Sequence, residues 1–113
     1  MIPRSKWKYK GLPGHFCAVG RCRFRLCTDI GEYRISTVGA MYDNDSSKEM
    51  SEIGLDRHYE TYVFKLDNTG NILDFSEIDG DGIKKKKKDD PYECDKKAEI
   101  MHNEFCLKYA KLQ

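Results

Sequence analysis

"RCRFRLCTDIGEYRISTVGAMY", residues 21–42, decides the fold. Cys22, Phe24 and Leu26 alternate with Arg21, Arg23 and Arg25, and after "TDIGEY" a second run sets Tyr33, Ile35 and Thr37 against Arg34, Ser36 and Val38. Successive strand residues point to opposite faces, so this period of two predicts an antiparallel hairpin with one apolar and one cationic side. With Ile30 and Gly31 at the turn centre, Leu26 is expected opposite Ile35 and Phe24 opposite Thr37. Slipping the pairing by a single residue would bury the arginines, which selects this parity.

Outward from the hairpin, residues 1–19 read as an N-terminal arm. Trp7 and Tyr9 alternate with Lys6, Lys8 and Lys10, which suits a short strand, and Gly11, Pro13 and Gly14 mark a turn. The hairpin occupies 20–40. Residues 41–58 are polar and aperiodic, a long surface loop tacked down by Ile53 and Leu55. A second hairpin is expected over 59–78: "HYETYVFKLD" is rich in β-formers, "NTG" is a turn, and "NILDFSEI" returns with Leu73 and Phe75 in phase.

Residues 79–90 then read as a charged linker. Over 91–112, Cys94, Ala98, Met101, Phe105, Tyr109 and Leu112 recur at helical spacing. Asp90 fits the N-cap, with Pro91 in the first turn and Glu93 three residues after the cap. Lys108 and Lys111 complement the C-terminal end of the dipole. The expected fold is α+β: one domain spanning 1–113, with a four- or five-stranded, mainly antiparallel sheet and a C-terminal amphipathic helix on one face.

At 113 residues, 39% hydrophobic and 35% charged, the chain can bury one modest core. Twenty basic residues against nineteen acidic give a formal charge of +1, so any electrostatic partner must be recognised by a local patch. No signal-peptide pattern and no membrane-length apolar run is present, which points to the cytoplasm and to no membrane partner. Five cysteines are then expected as free thiols, an odd number that cannot pair completely.

The chemistry-bearing candidates are few. Arg21, Arg23, Arg25 and Arg34 would form a cationic track, alternate strand residues lying ~6.8 Å apart on one face. Arginine offers bidentate contacts to carboxylate or phosphate, so this track is the candidate partner surface. The bland alternative is a solvated face whose charges discourage aggregation. Lys84, Lys85, Lys86, Lys87 and Lys88 form a basic run that could add phosphate contacts, although acidic residues follow at once.

His15, Cys17, His102 and Cys106 could in principle hold zinc, since His102 and Cys106 share a helix face, but no tight Cys-x-x-Cys knuckle exists. Glu77, Asp79, Asp81 and Gly82 imitate the first half of a calcium loop, yet Lys88 stands where a bidentate glutamate is needed. His58 and Glu60 could pair as acid and base. No nucleophile elbow, phosphate loop or metalloprotease helix occurs, so neither an enzyme nor a cofactor is expected.

"KWKYKGLPGHF", "CRFRLCTDIGEYRISTVGAMY", "IGLDRHYETYVF" and "HNEFCLKYA" together resemble a family of small, uncharacterised bacteriophage-encoded proteins. The resemblance spans most of the chain. It departs at position 62, where Tyr replaces the usual Met, and in the five-lysine run. It brings no activity or catalytic residues. What it implies is a phage accessory product in a bacterial cytoplasm that binds and inhibits or redirects a host protein or complex, as an anti-defence, anti-CRISPR-like inhibitor would. A nucleic-acid or nucleotide-phosphate binder using the arginine face is the alternative, and a small zinc protein the third.

Overall fold

The computed structural model describes residues 1–10, 15, 22–39, 41–42, 50–51, 53, 57–86 and 89–113. A 3₁₀ turn at Arg4–Lys6 leads into β1 (Lys8–Lys10), followed by β2 (Phe24–Ile30) and β3 (Tyr33–Gly39). The short strands β4 (Met41–Tyr42) and β5 (Met50–Ser51) pair with each other, and β6 (Tyr59–Lys65), β7 (Asp79–Ile83) and α1 (Pro91–Lys111) complete the order. The main sheet runs β1-β2-β3-β6-β7 with every pairing antiparallel, and α1 packs across β2, β3 and β6. This is an α+β fold.

The first hairpin forms with its predicted parity, but the turn sits one residue later. Ile30 pairs with Tyr33, so Leu26 faces Thr37 and Thr28 faces Ile35. A two-residue change of partner leaves the paired residues of β2 and β3 on their expected faces, which is why the apolar side survives. Gly31 takes φ +56°, as the first residue of a tight hairpin turn requires. The Gln113 side chain closes over this turn, accepting from Glu32 N at 2.9 Å and donating to Ile30 O at 3.0 Å.

The second hairpin differs from expectation. The partner of β6 is β7, drawn from the stretch read as a linker, whereas Leu66 and Ile72 form only an isolated bridge. Local alternation in 71–78 favoured a strand, but Leu73 and Phe75 are exposed. The sequence Asp79-Gly80-Asp81-Gly82 has low strand propensity and forms β7 through tertiary contacts. Asp79 Oδ2 accepts from Lys108 Nζ at 2.7 Å and from the Tyr109 hydroxyl at 2.8 Å, tying the strand to the helix. The carboxylates of Asp79 and Asp81 also accept from the amides of Gly80 and Gly82. A Cβ on Gly80 would lie 2.7 Å from Thr61 O, so the strand approaches β6 this closely only as glycine.

The helix starts where expected: Asp90 accepts from Tyr92 N at 3.0 Å, and removing such a cap costs about 1 kcal/mol. Cys94, Ala98, Met101 and Tyr109 are buried as expected, joined by His102, Cys106 and Ala110, whereas Leu112 is exposed. Beneath the helix lie two apolar clusters. Trp7, Ile30, Ile35, Val63, Cys106 and Tyr109 form one; Tyr59, Cys94 and Ala98, with Phe24 and Ile83 against them, form the other.

The opposite face carries a smaller cluster of Val38 and Ile53, with Cys22 packed on it. Ile53 therefore tacks down its segment as expected; Leu55 lies outside the described residues, as does the Gly11–Gly14 turn. Cys27, Cys94 and Cys106 are buried thiols outside any disulfide. Cys22 corrects the expectation of free thiols throughout: it is disulfide-bonded.

Candidate functional site

The arginine row does not assemble as one track. Arg21 lies outside the described residues. Arg23, just ahead of β2, turns to the helix, where its Nη2 donates to both carboxylate oxygens of Asp95 at 2.8 and 2.9 Å. The Tyr59 hydroxyl donates to the same carboxylate at 2.6 Å, and burial, reinforced by Asp95, pushes that phenol well above its ordinary range. Arg34 donates to both oxygens of Asp29 at 2.7 and 2.9 Å and to Gly70 O at 3.2 Å. Both residues are structural cross-ties. Only Arg25, of the three described, stays exposed.

Arg25 instead joins a different set of cations. A cleft of about 340 Å³ at the β1–β2 edge is lined by Arg4, Tyr9, Lys10, Arg25, His102 and Asn103, among others. It exists because β1 pairs only with Cys27–Asp29, stopping short of the Phe24–Leu26 end of β2. Tyr9 is 67% exposed beside it. The Arg4 guanidinium lies over the Trp7 ring at 5.0 Å, and Lys10 Nζ stands 3.7 Å from Asp29 Oδ2. Three cations, an exposed phenol and an amide stand against the single carboxylate of Glu99, so the lining is net positive and suits an anionic ligand.

The floor of the cleft is a buried polar layer. His102 Nε2 sits 2.9 Å from Thr28 Oγ1, and its Nδ1 2.7 Å from Thr37 Oγ1, which is 2.6 Å from Thr61 Oγ1. Whichever ring nitrogen carries the proton, the other accepts from a threonine hydroxyl. Burial lowers the His102 pKa to about 4, so the imidazole is neutral at physiological pH and adds no charge to the cleft. Its neighbour Cys106 has its thiol pushed up to about 12 by burial, so it is not a poised nucleophile.

Of the four candidate zinc ligands, the three described ones are not brought together. His15 Nδ1 contacts Ser36 Oγ at 2.8 Å, whereas His102 contacts Thr37. Ser36 and Thr37 are adjacent in β3 and point to opposite faces, so the sheet separates His15 from His102 and Cys106. Cys17 lies outside the described residues, among which no cluster of three or more metal-ligating side chains occurs. The calcium-loop imitation lies partly in a strand, with Asp79 committed to Lys108 and Tyr109.

Nor do His58 and Glu60 act together. His58 Nδ1 accepts from Lys85 N at 2.9 Å, while Glu60 faces His15 and Arg57. In the basic run, Lys86 N donates to Asp89, which folds an acid back onto the lysines; Lys87 and Lys88 lie outside the described residues.

Sequence reasoning did not find the proximity of Ser36, His15 and Glu60. His15 Nε2 lies 3.2 Å from Glu60 Oε1 but makes no directed hydrogen bond. The order serine, imidazole, carboxylate resembles a hydrolytic relay. Ser36, however, is 0% exposed, so no substrate carbonyl can reach its hydroxyl. The cleft was also missed; of the lysine–aromatic alternation only Tyr9 and Lys10 line it, and its other residues come from distant parts of the chain.

No family model matches the chain, and neither a curated protein nor a solved structure matches it. Among the described residues no helix is long and apolar enough to cross a membrane.

Proposed function

We propose that the chain is a non-enzymatic binding protein that engages an acidic surface of a host protein through the cleft at the β1–β2 edge. The observation that supports this most is the convergence of Arg4, Lys10 and Arg25 beside exposed Tyr9, in a protein of nearly zero net charge. A local cationic patch with an exposed aromatic is the composition of a recognition surface rather than of a merely solvated face. The sequence resemblance to phage accessory proteins supplies the context, inhibition or redirection of a host factor in the bacterial cytoplasm, with anti-defence activity as its sharpest form.

Affinity capture from host lysate with the wild type and with Lys10→Glu/Arg25→Glu tests the reading. Both positions are exposed, so the variant should fold. Loss of a specific acidic partner from the variant is expected; identical partner profiles would remove the cleft from consideration.

A second reading takes a nucleotide or nucleic-acid phosphate in the same cleft, favoured by Tyr9 as a stacking platform. It requires binding that weakens steeply with salt, because phosphate contacts release counterions. Absence of binding to DNA, RNA and nucleotides at low salt would exclude it.

A further inference from the structure

The β6–β7 connection carries apolar side chains that the fold leaves outside. Leu73, Phe75 and Ile78 are 63%, 84% and 53% exposed within six residues, on a segment whose alternation would suit a buried strand. The segment is held in shape. Asp67 accepts from the amides of Thr69 and Asn71, Leu73 N donates to Lys65 O, and Ile78 N donates to Val63 O. An ordered loop presenting a phenylalanine flanked by Asp74 and Glu77 has the form of an interface anchor with an acidic rim.

A complementary receptor occurs on this same chain. A cavity of about 410 Å³ is lined by Met1, Ile2, Pro3 and Leu66, with Lys6 and Lys8 also on its wall. A cavity of about 150 Å³ already accepts benzene, so a phenylalanine ring fits with room for its neighbours. The charges match as well: Asp29, the one carboxylate on the cavity, is already paired with Arg34 and Lys10, which leaves the two lysines to face the carboxylates of the loop. Leu66 and Gly70 line the cavity and also begin the connection that presents Phe75. Knob and hole therefore lie within a few residues of one another along the chain.

We infer that the 71–78 segment docks a second copy of this chain, Phe75 entering the apolar cavity of its partner while Asp74 and Glu77 meet Lys6 and Lys8. Because each protomer carries both halves, one two-fold axis makes both contacts at once and closes a dimer. The interface is separate from the cleft at the β1–β2 edge and stands whether or not that cleft binds a host protein.

Sedimentation velocity across a concentration series tests this, with circular dichroism confirming the fold of each variant. The wild type should pass from monomer to dimer as concentration rises. Phe75→Asp, at a solvent-exposed position, should weaken dimerisation at least about tenfold. Glu77→Lys should also weaken it, and Lys8→Glu added to Glu77→Lys should restore it. A wild type that stays monomeric at every concentration overturns the inference. So does a dimer unchanged by Phe75→Asp, or a charge reversal that the second reversal does not rescue.

Discussion

Two histidines stand back to back across β3, one against each face, and their surroundings differ. His102 lies beneath the helix with both ring nitrogens on threonine hydroxyls, in a layer closed by Thr61 and flanked by two apolar clusters. His15 lies on the other face, its ring tilted against that of Tyr62 with centroids 4.8 Å apart, with Nδ1 on Ser36 and Nε2 beside Glu60 but not aimed at it. A fully paired polar layer fixes how a helix seats on a sheet, because any shift would orphan several buried groups at once. A cluster with one undirected nitrogen fixes less. The helix face should therefore carry the larger share of stability.

The largest expected effect is that of His102→Ala. It opens a cavity and leaves the Thr28 and Thr37 hydroxyls without the imidazole, at a cost of about 3–5 kcal/mol in chemical denaturation. A cost equal to that of the matching change at His15 would break the comparison.

Acid should act on the same layer. Burial holds the folded-state pKa of His102 at about 4, below its ordinary 6.5, so the unfolded chain binds this proton more readily. The stability linked to it is complete above pH 6.5 and is lost as pH falls towards 4, amounting to about 3 kcal/mol over that window. Asp79, held below the usual carboxylate range chiefly by its hydrogen bond from Lys108, contributes its own loss only at lower pH. Denaturation midpoints followed from pH 7 to pH 4 check this. His102→Asn should remove most of the slope, and a slope unchanged by that variant would assign it to other groups.

The smallest effect is expected from His15→Ala. It deletes one hydrogen bond to Ser36 and ring contacts, about 1 kcal/mol. A much larger loss would show that the second face is as tightly specified as the first.

The parts of this fold legible in the sequence were those written locally. The first hairpin shows in the alternation around Gly31, and α1 in its stripe and in the Asp90–Pro91 start. The pairing of β6 with β7 was not legible, because Asp79-Gly80-Asp81-Gly82 has no strand-like pattern. What places it is Asp79 meeting Lys108 and Tyr109, a contact between distant parts of the chain. The candidate site failed for the same reason. The face of Arg34 could be read from alternation, but Arg23, just ahead of β2, turns to Asp95 on the helix, a partner 72 residues further on that no local pattern announces. The buried polar layer was hidden too, since His102 offered only its helical position and the three threonines only their strand phase.

The aspartate–glycine alternation of β7 has one more consequence. With the amides of Gly80 and Gly82 already taken by neighbouring carboxylates, and like charges displayed along it, this border of the sheet is a poor template for a further strand. On the opposite border, among the described residues, β1 pairs with Cys27–Asp29 alone. Of these two borders, β7 is thus the one that the chain's own chemistry closes to a further strand.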